Sequence, residues 1–276
     1  MGTLYLVATP IGNLEDITLR ALRVLKEVRW VASEDTRHTG QLLRHYGIAA
    51  RQVSFHEHNK RERLHRLLRA LDEGDVALVS DAGTPALSDP GFELVKAALA
   101  AGHQVSPIPG ASAPVAALIA SGLPTDAFLY LGYLPRQAAE RRRLIASVSR
   151  EPRTLVLFEV PHRLRAALTD LIGELGGGRP AAVCRELTKL HEEIRRGTLE
   201  SLADHFAREA PRGEITLVVA GAQEGARWGE AQVRAALRRR RASGESPTKA
   251  SRGVAEESGW PRREVYRLAL EGRKQA

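Results

Sequence analysis

Leu4-Tyr5-Leu6-Val7-Ala8 is an apolar run of β-formers, Thr9-Pro10-Ile11-Gly12-Asn13 is a turn, and from about Asp16 the residues Ile17, Ala21, Val24, Leu25 and Val28 recur at helical spacing. That is one strand followed by one helix. The same alternation continues outward: residues 30–33, 53–56, 76–80 and 104–108 predict short strands, and residues 37–45, 61–71, 90–101 and 112–120 predict helices between or after them. Gly47, Gly74 and Gly102 stand where helix C-caps belong, and Asp89 with Pro90 reads as an N-cap and first helical residue. Repeated alternation implies a largely parallel sheet covered on both faces.

A second series follows Leu123-Pro124-Thr125. Strands are predicted over 128–132, 154–159, 182–186, 193–196 and 214–220, with helices over 137–149, 161–175 and 199–209. Some links are too short for crossover helices, so this sheet is expected to be mixed. From Trp228 the character changes to an arginine-studded helix over 230–241, a break at Ser243-Gly244-Glu245-Ser246-Pro247, and two short helices separated by Ser258-Gly259. The pair resembles a helix-turn-helix, with a plain packing appendage as the alternative. The expected division is two α/β domains, 1–123 and 124–226, and a small basic helical region, 227–276.

Apolar residues make up 43% of the chain and charged residues 27%, which excludes disordered, collagenous and coiled-coil classes. A single cysteine, Cys184, excludes a disulfide scaffold and a multi-thiolate zinc site. The longest small-apolar stretch, 111–123, contains Pro114, Ser121 and Gly122 and falls short of the ~20 residues that span a bilayer. No basic flank precedes the first apolar run, so a cytoplasmic protein without membrane partners is expected. The net charge is +8, and the segment from Trp228 onward holds 12 Lys and Arg against 6 Asp and Glu. Such asymmetry suits a polyanionic partner.

In an open α/β sheet, ligands sit beyond the carboxyl ends of the strands, so the segments after each strand are the candidates. The turn after the first strand has only Gly12 of the G-x-G-x-x-G pattern, which argues against a nicotinamide or flavin cofactor. Ser33-Glu34-Asp35-Thr36-Arg37-His38 gathers more polar groups than the single helix cap that Asp35 or Thr36 would supply. Ser80-Asp81-Ala82-Gly83-Thr84-Pro85 and Pro109-Gly110-Ala111-Ser112-Ala113 have side chains small enough for backbone to approach a ligand, and Asp81 offers charge to a cation or a ribose hydroxyl. His56-Glu57-His58 lacks a third ligand at metal spacing, so no metal is expected. Arg141-Arg142-Arg143 is either a solvated face or an RNA contact, and Arg185 with Glu186 reads as an internal ion pair.

Taken in order, Thr9-Pro-Ile-Gly-Asn, Ser33-Glu-Asp-Thr-Arg, Val79-Ser-Asp-Ala-Gly-Thr-Pro, Pro109-Gly-Ala-Ser, Arg185-Glu-Leu-Thr-Lys and Gly213-Glu-Ile-Thr-Leu resemble the tetrapyrrole methylase superfamily. Within it, the pairing of Glu34-Asp35-Thr36-Arg37-His38 with Ser80-Asp81-Ala82-Gly83-Thr84-Pro85 looks like the branch that 2′-O-methylates a cytidine of 16S ribosomal RNA. The resemblance implies two α/β domains of the class III methyltransferase type with a small C-terminal helical region, S-adenosylmethionine as cofactor, a homodimer, and 16S ribosomal RNA or the 30S subunit as partner.

Residue by residue, it implies cofactor contacts at Pro10, Asp81, Gly83, Thr84, Ser112 and Ala113, and at Phe158, Arg185, Glu214 and Ile215. Many superfamily members read Gly-Asp-Pro where this chain has Ser80-Asp81-Ala82. Asp35, Glu34 and Lys189 are candidates for taking the proton of the ribose hydroxyl, unranked by the sequence; Arg37, His38, His56, His58 and Arg141 are candidates for contacting the substrate. Methylation of a tetrapyrrole-type small molecule and a non-catalytic nucleic-acid-binding regulator are the alternatives.

Overall fold

The computed structural model describes residues 2–56, 59–87, 91–222 and 229–271. His58, Asp89 and Pro90 lie outside the described residues. The chain forms two compact units, one from residues 1–148 and 154–220, the other from residues 149–153 and 221–276.

In the larger unit Thr3–Val7 (β1), Trp30–Ser33 (β2), Arg51–Ser54 (β3), Val76–Val79 (β4) and Gln104–Ile108 (β5) pair in parallel in the order β3-β2-β4-β1-β5. Leu19–Glu27 (α1) and Thr36–His45 (α2) bring Val24, Leu25 and Leu43 against Val7, Val31, Ala77 and Val79. Lys60–Glu73 (α3) and Phe92–Ala100 (α4) bring Leu67, Leu71 and Leu94 against Leu4, Ala32, Val76 and Leu78. Successive residues of β4 therefore feed opposite cores, which is why this strand is apolar without interruption. The connections from β1 and β4 leave these neighbouring strands in opposite directions, and a crevice opens beyond their carboxyl ends.

Several boundaries shift from the sequence reading, and two of the shifts have a clear local cause. The helix expected from Asp16 starts at Leu19, because Thr18 accepts a hydrogen bond from the Ala21 amide at 3.1 Å and caps it there; Leu14–Asp16 forms a separate 3-10 turn. Strand β3 lies two residues earlier than expected, because it is an edge strand with one buried residue, Val53, and so carries almost no apolar signal.

The second sheet is mixed, as its short links imply. Phe128–Tyr133 (β6), Thr154–Glu159 (β7), Pro180–Arg185 (β8), Glu193–Thr198 (β9) and Ile215–Val219 (β10) run in the order β6-β7-β10-β8-β9, with only β6 and β7 parallel. Ala138–Ser147 (α6), Pro161–Leu175 (α7) and Leu199–Arg208 (α8) cover one face through residues such as Ile145, Leu164, Leu168 and Phe206. The other face is covered from the first half of the chain: Ala117 and Leu118 of Ala113–Ser121 (α5) pack on Val156, Ala182, Cys184 and Val218. Cys184 is a buried apolar-like residue whose thiol pKa is pushed by burial up to about 11.

Arg141 belongs to this packing and not to a solvated, RNA-facing surface. It is only 6% exposed, and its guanidinium donates to Asp170 of α7 at 2.7 and 2.6 Å. Arg141→Ala would leave buried Asp170 with only the longer 3.7 Å pair to Arg142 among the described residues, at a cost of up to about 3 kcal/mol. Chemical denaturation is expected to show that loss, whereas the exposed Arg143→Ala should be nearly silent.

The smaller unit has its own core. Glu230–Ala242 (α9), Pro247–Ser258 (α10) and Arg262–Glu271 (α11) enclose Val233, Leu237, Ala250, Val254, Val265 and Leu268. Ser246 caps α10 through the Lys249 amide at 3.3 Å, and Gly259 makes the left-handed turn toward α11. Arg238, Arg239, Lys249, Arg262, Arg263 and Arg267 remain exposed.

Candidate functional site

Beyond the crevice, the loops after β1, β2, β4 and β5 are fastened to one another. Thr9 and Gly83 exchange backbone hydrogen bonds at 2.9 and 3.0 Å, and Gly83 has φ +80°, where glycine is favoured. Thr84 donates its hydroxyl to the Ala111 carbonyl at 3.3 Å, joining the loops after β4 and β5. Asp81 accepts the Asp35 amide at 3.0 Å, joining the loops after β4 and β2. Asp35 in turn caps α2, accepting the Arg37 amide at 2.8 Å.

Two adjoining cavities open over these loops. One of about 230 Å³ is lined by Ile11, Glu34, Asp81, Ala82, Leu87, Ala113, Tyr133, Phe158, Cys184, Leu187, Glu214, Ile215 and Thr216. The other, about 490 Å³, includes Pro10, Gly12, His38, Thr39, Gln41, His45 and Lys189, and shares Ile11, Asp81, Ala82 and Glu214 with the first. Among the expected cofactor contacts, Pro10, Asp81, Ala113, Phe158, Glu214 and Ile215 thus meet at one cleft; Gly83 and Thr84 are not among its lining residues but fasten its loops, and Ser112, likewise not lining it, precedes α5. Arg185 is not among the lining residues; it binds Glu193 at 3.1 Å and the Arg212 carbonyl at 3.3 Å. Its expected ion pair with Glu186 is replaced by the Glu193 pair.

Of the substrate candidates, His38 lines the larger cavity. Arg37 has its side chain 88% exposed and folded back onto Asp35 at 2.8 Å. His56 sits beside Asn59, ring Nε2 to amide nitrogen 3.1 Å, close enough to Glu34 to act on it electrostatically.

The three proton-acceptor candidates separate by environment. Burial raises the Glu34 carboxyl above its ordinary value, and the charges of Asp81 and Asp35 raise it further against an opposing effect of His56. Asp35 is held down to about 2, first by the Arg37 side-chain hydrogen bond and then by the Arg37 amide. For Lys189, burial pushes the ammonium down, but its bonds to Glu186 at 2.9 Å and Glu214 at 3.2 Å outweigh this and leave it raised.

Lys189 belongs to a strap that ties the second sheet to the β1 loop. The strap runs through two non-glycine residues in left-handed conformation, Glu186 at φ 51° and Thr188 at φ 66°. Thr188 accepts the Asn13 amide at 3.1 Å, the Lys189 stem lies where a Cβ on Gly12 would stand, and Glu186 accepts the Glu214 amide at 2.9 Å. Gly213, at φ +79°, leaves the room that Glu186 fills: an added Cβ would lie 2.1 Å from its carboxylate oxygen. Gly213→Ala is therefore expected to lose about 1–3 kcal/mol in a denaturant titration, against little change for Gly178→Ala, where a Cβ meets nothing within 4 Å.

The sequence reading named Phe158 and Ile215 but missed Ile11, Tyr133 and Leu187 of the apolar lining. Tyr133 reaches the cleft because β6 carries a bulge: the register passes from Tyr130–Val156 to Gly132–Leu157, leaving Leu131 as the extra residue. Phe158 then contacts both Tyr130 and Tyr133, ring centroids 5.5 and 5.3 Å away. Gly132, at φ +64°, was the available signal.

Residues 3–203 match the family model of tetrapyrrole (corrin/porphyrin) methylases. The ribosomal RNA small subunit methyltransferase I of Synechocystis sp. is 50% identical over 98% of this chain and 98% of its own length. That of Escherichia coli O157:H7 is 44% identical over 98% and 95%. Among solved structures, uroporphyrin-III C-methyltransferase from Thermus thermophilus, complexed with S-adenosyl homocysteine, shares the fold at a TM-score of 0.56 and 24% identity, over 79% of this chain and 97% of its own. Motif order, paired sheets and full-length identity agree, and the chain belongs to the tetrapyrrole methylase family, in the company of the small-subunit ribosomal RNA methyltransferases.

Proposed function

We propose that this protein transfers the methyl group of S-adenosylmethionine to the 2′-hydroxyl of a cytidine in 16S ribosomal RNA. The observation that carries the reading is the smaller cavity, where Glu34, Asp81 and Glu214 stand beside Phe158 and Tyr133 with no basic side chain among the described lining residues. Three carboxylates and aromatic rings suit a sulfonium cation and an adenine and repel a phosphate-bearing cofactor. The family membership and the names of the relatives support the same reading. Bound S-adenosylmethionine supplies a methyl group already activated by its sulfonium. Asp81, Glu214, Phe158, Ile215, Pro10 and Ala113 would hold the cofactor, with Gly83, Thr84 and Ser112 keeping the loops open for it.

The protein's main task is alignment, which supplies on the order of 7 to 11 kcal/mol of such a barrier. Glu34 takes the hydroxyl proton, because its raised proton affinity and its place in the cleft suit an acceptor. Asp35 is too weak a base and engaged by Arg37, and Lys189 stays protonated between two carboxylates. His38, His56 and Arg37 would meet the RNA, and the exposed arginines of the smaller unit extend its contact with phosphates.

The same reading takes 1–123 and 124–226 as the two methylase domains, 227–276 as a helical RNA-binding region, the cytoplasm as its location, and a homodimer as its assembled form. The exposed apolar Val115 and Ile119 on α5 suit such an assembly. Among the described residues no helix is long and apolar enough to cross a membrane.

The test is transfer of labelled methyl to 30S subunits, naked 16S RNA and a tetrapyrrole. Label on RNA that protects one cytidine linkage from alkaline cleavage is the expected result, since cleavage needs a free 2′-hydroxyl. Label on the tetrapyrrole alone would overturn the reading.

A further inference from the structure

At the end of the first sheet away from the cleft, Trp30 and Arg51 open β2 and β3 and stand opposite one another in the parallel register. The guanidinium carbons of Arg51 and Arg66 lie 5.8 and 5.0 Å from the Trp30 ring centroid. Arg66, Arg69 and Trp30 line a shallow cavity of about 180 Å³. Glu73, the carboxylate in that cavity, is held by Arg29 at 3.1 Å. Arg51, Arg66 and Arg69 are exposed, and none has an ion-pair partner among the described residues.

Three guanidiniums with no ion-paired carboxylate of their own among the described residues, beside a Glu73 already held by Arg29, repel one another, and a bound polyanion removes that cost. A guanidinium lying over an indole keeps its N–H edge free, the fork geometry that matches a phosphate. Among the described residues no strand pairs with the outer edge of β3, which leaves that edge of the sheet open to approach. Trp30 and Glu34 are four residues apart along β2 and its loop, about 13 Å at ~3.3 Å per residue, which some four stacked nucleotides at ~3.4 Å each would cover.

We propose that Trp30, Arg51, Arg66 and Arg69 form a docking surface for the phosphate backbone of the RNA strand that flanks the methylated nucleotide. This rests on the RNA-methylation reading above and adds where the substrate lies: along β3, toward Glu34. These contacts position the strand and do not read its bases.

The experiment is binding of the full chain to naked 16S RNA across a salt series, comparing wild type with Arg51→Ala/Arg66→Ala and Arg51→Lys/Arg66→Lys. Loss of two phosphate contacts should flatten the slope of log K against log salt by about 1.4 in the alanine protein, with S-adenosylmethionine affinity and melting temperature unchanged. The lysine protein, which keeps both charges, should keep the slope. An unchanged slope in the alanine protein, or an equal loss in the lysine protein, would overturn the proposal, since charge would then not be what the surface supplies. If wild type methylates RNA while the slope is unaffected, only this inference fails; if wild type transfers no methyl to RNA, the function reading itself fails.

Discussion

Asp81→Ala is expected to weaken S-adenosylmethionine binding by roughly 10- to 100-fold, the size of one charged hydrogen bond. Two losses coincide at this residue. Its carboxylate lines both cavities, and it accepts the Asp35 amide at 3.0 Å, which holds the loops after β2 and β4 together. Asp81→Asn separates them, because the amide oxygen can still accept from Asp35 while the charge is gone. Calorimetry on folded protein decides the matter: an unchanged dissociation constant in the alanine variant would remove Asp81 from the cofactor site.

Glu34→Gln should lower single-turnover methyl transfer, measured at saturating S-adenosylmethionine, by about 10²–10⁴. The pH dependence supplies a second readout. The ionised carboxylate is the acceptor, so activity rises with pH as Glu34 loses its proton. Burial, and after it the neighbouring Asp81, shift that rise upward from where an ordinary glutamate would put it. In Glu34→Gln this limb of the profile should vanish. Persistence of the limb would assign it to another group.

Much of this was legible in the chain. Strand β4 and the Ser80–Pro85 loop announce themselves because a strand buried on both faces must be apolar throughout, and a loop that receives a ligand must be small. Glu34 and Asp81 follow from looking just beyond strand ends, whereas Phe158, inside β7, and Glu214, just before β10, came only with the family resemblance. What stayed hidden depends on distant partners. Arg141 on a helix with Arg142 and Arg143 reads as solvated until Asp170, 29 residues later, is found beneath it. Ile11, Leu187 and Tyr133 look like core residues in the sequence, since an apolar cleft wall and a core face share one pattern. The rank of the proton acceptors was hidden too: it depends on Arg37 turning back onto Asp35 and on Asp81 approaching Glu34 from another strand.

Helix α5 has a consequence for how the chain is made. It lies at the end of the first half of the sequence, yet its Ala117 and Leu118 complete the inner face of a sheet whose strands begin at Phe128. During synthesis that helix emerges before the surface it covers, and the last strand to arrive, β10, is central in the second sheet. The order of synthesis thus leaves α5 waiting for nearly a hundred residues. Cutting the chain between the halves would bare Val156, Ala182, Cys184 and Val218 on one fragment and the matching stripe of α5 on the other, so the halves complete one another as a joint folding unit.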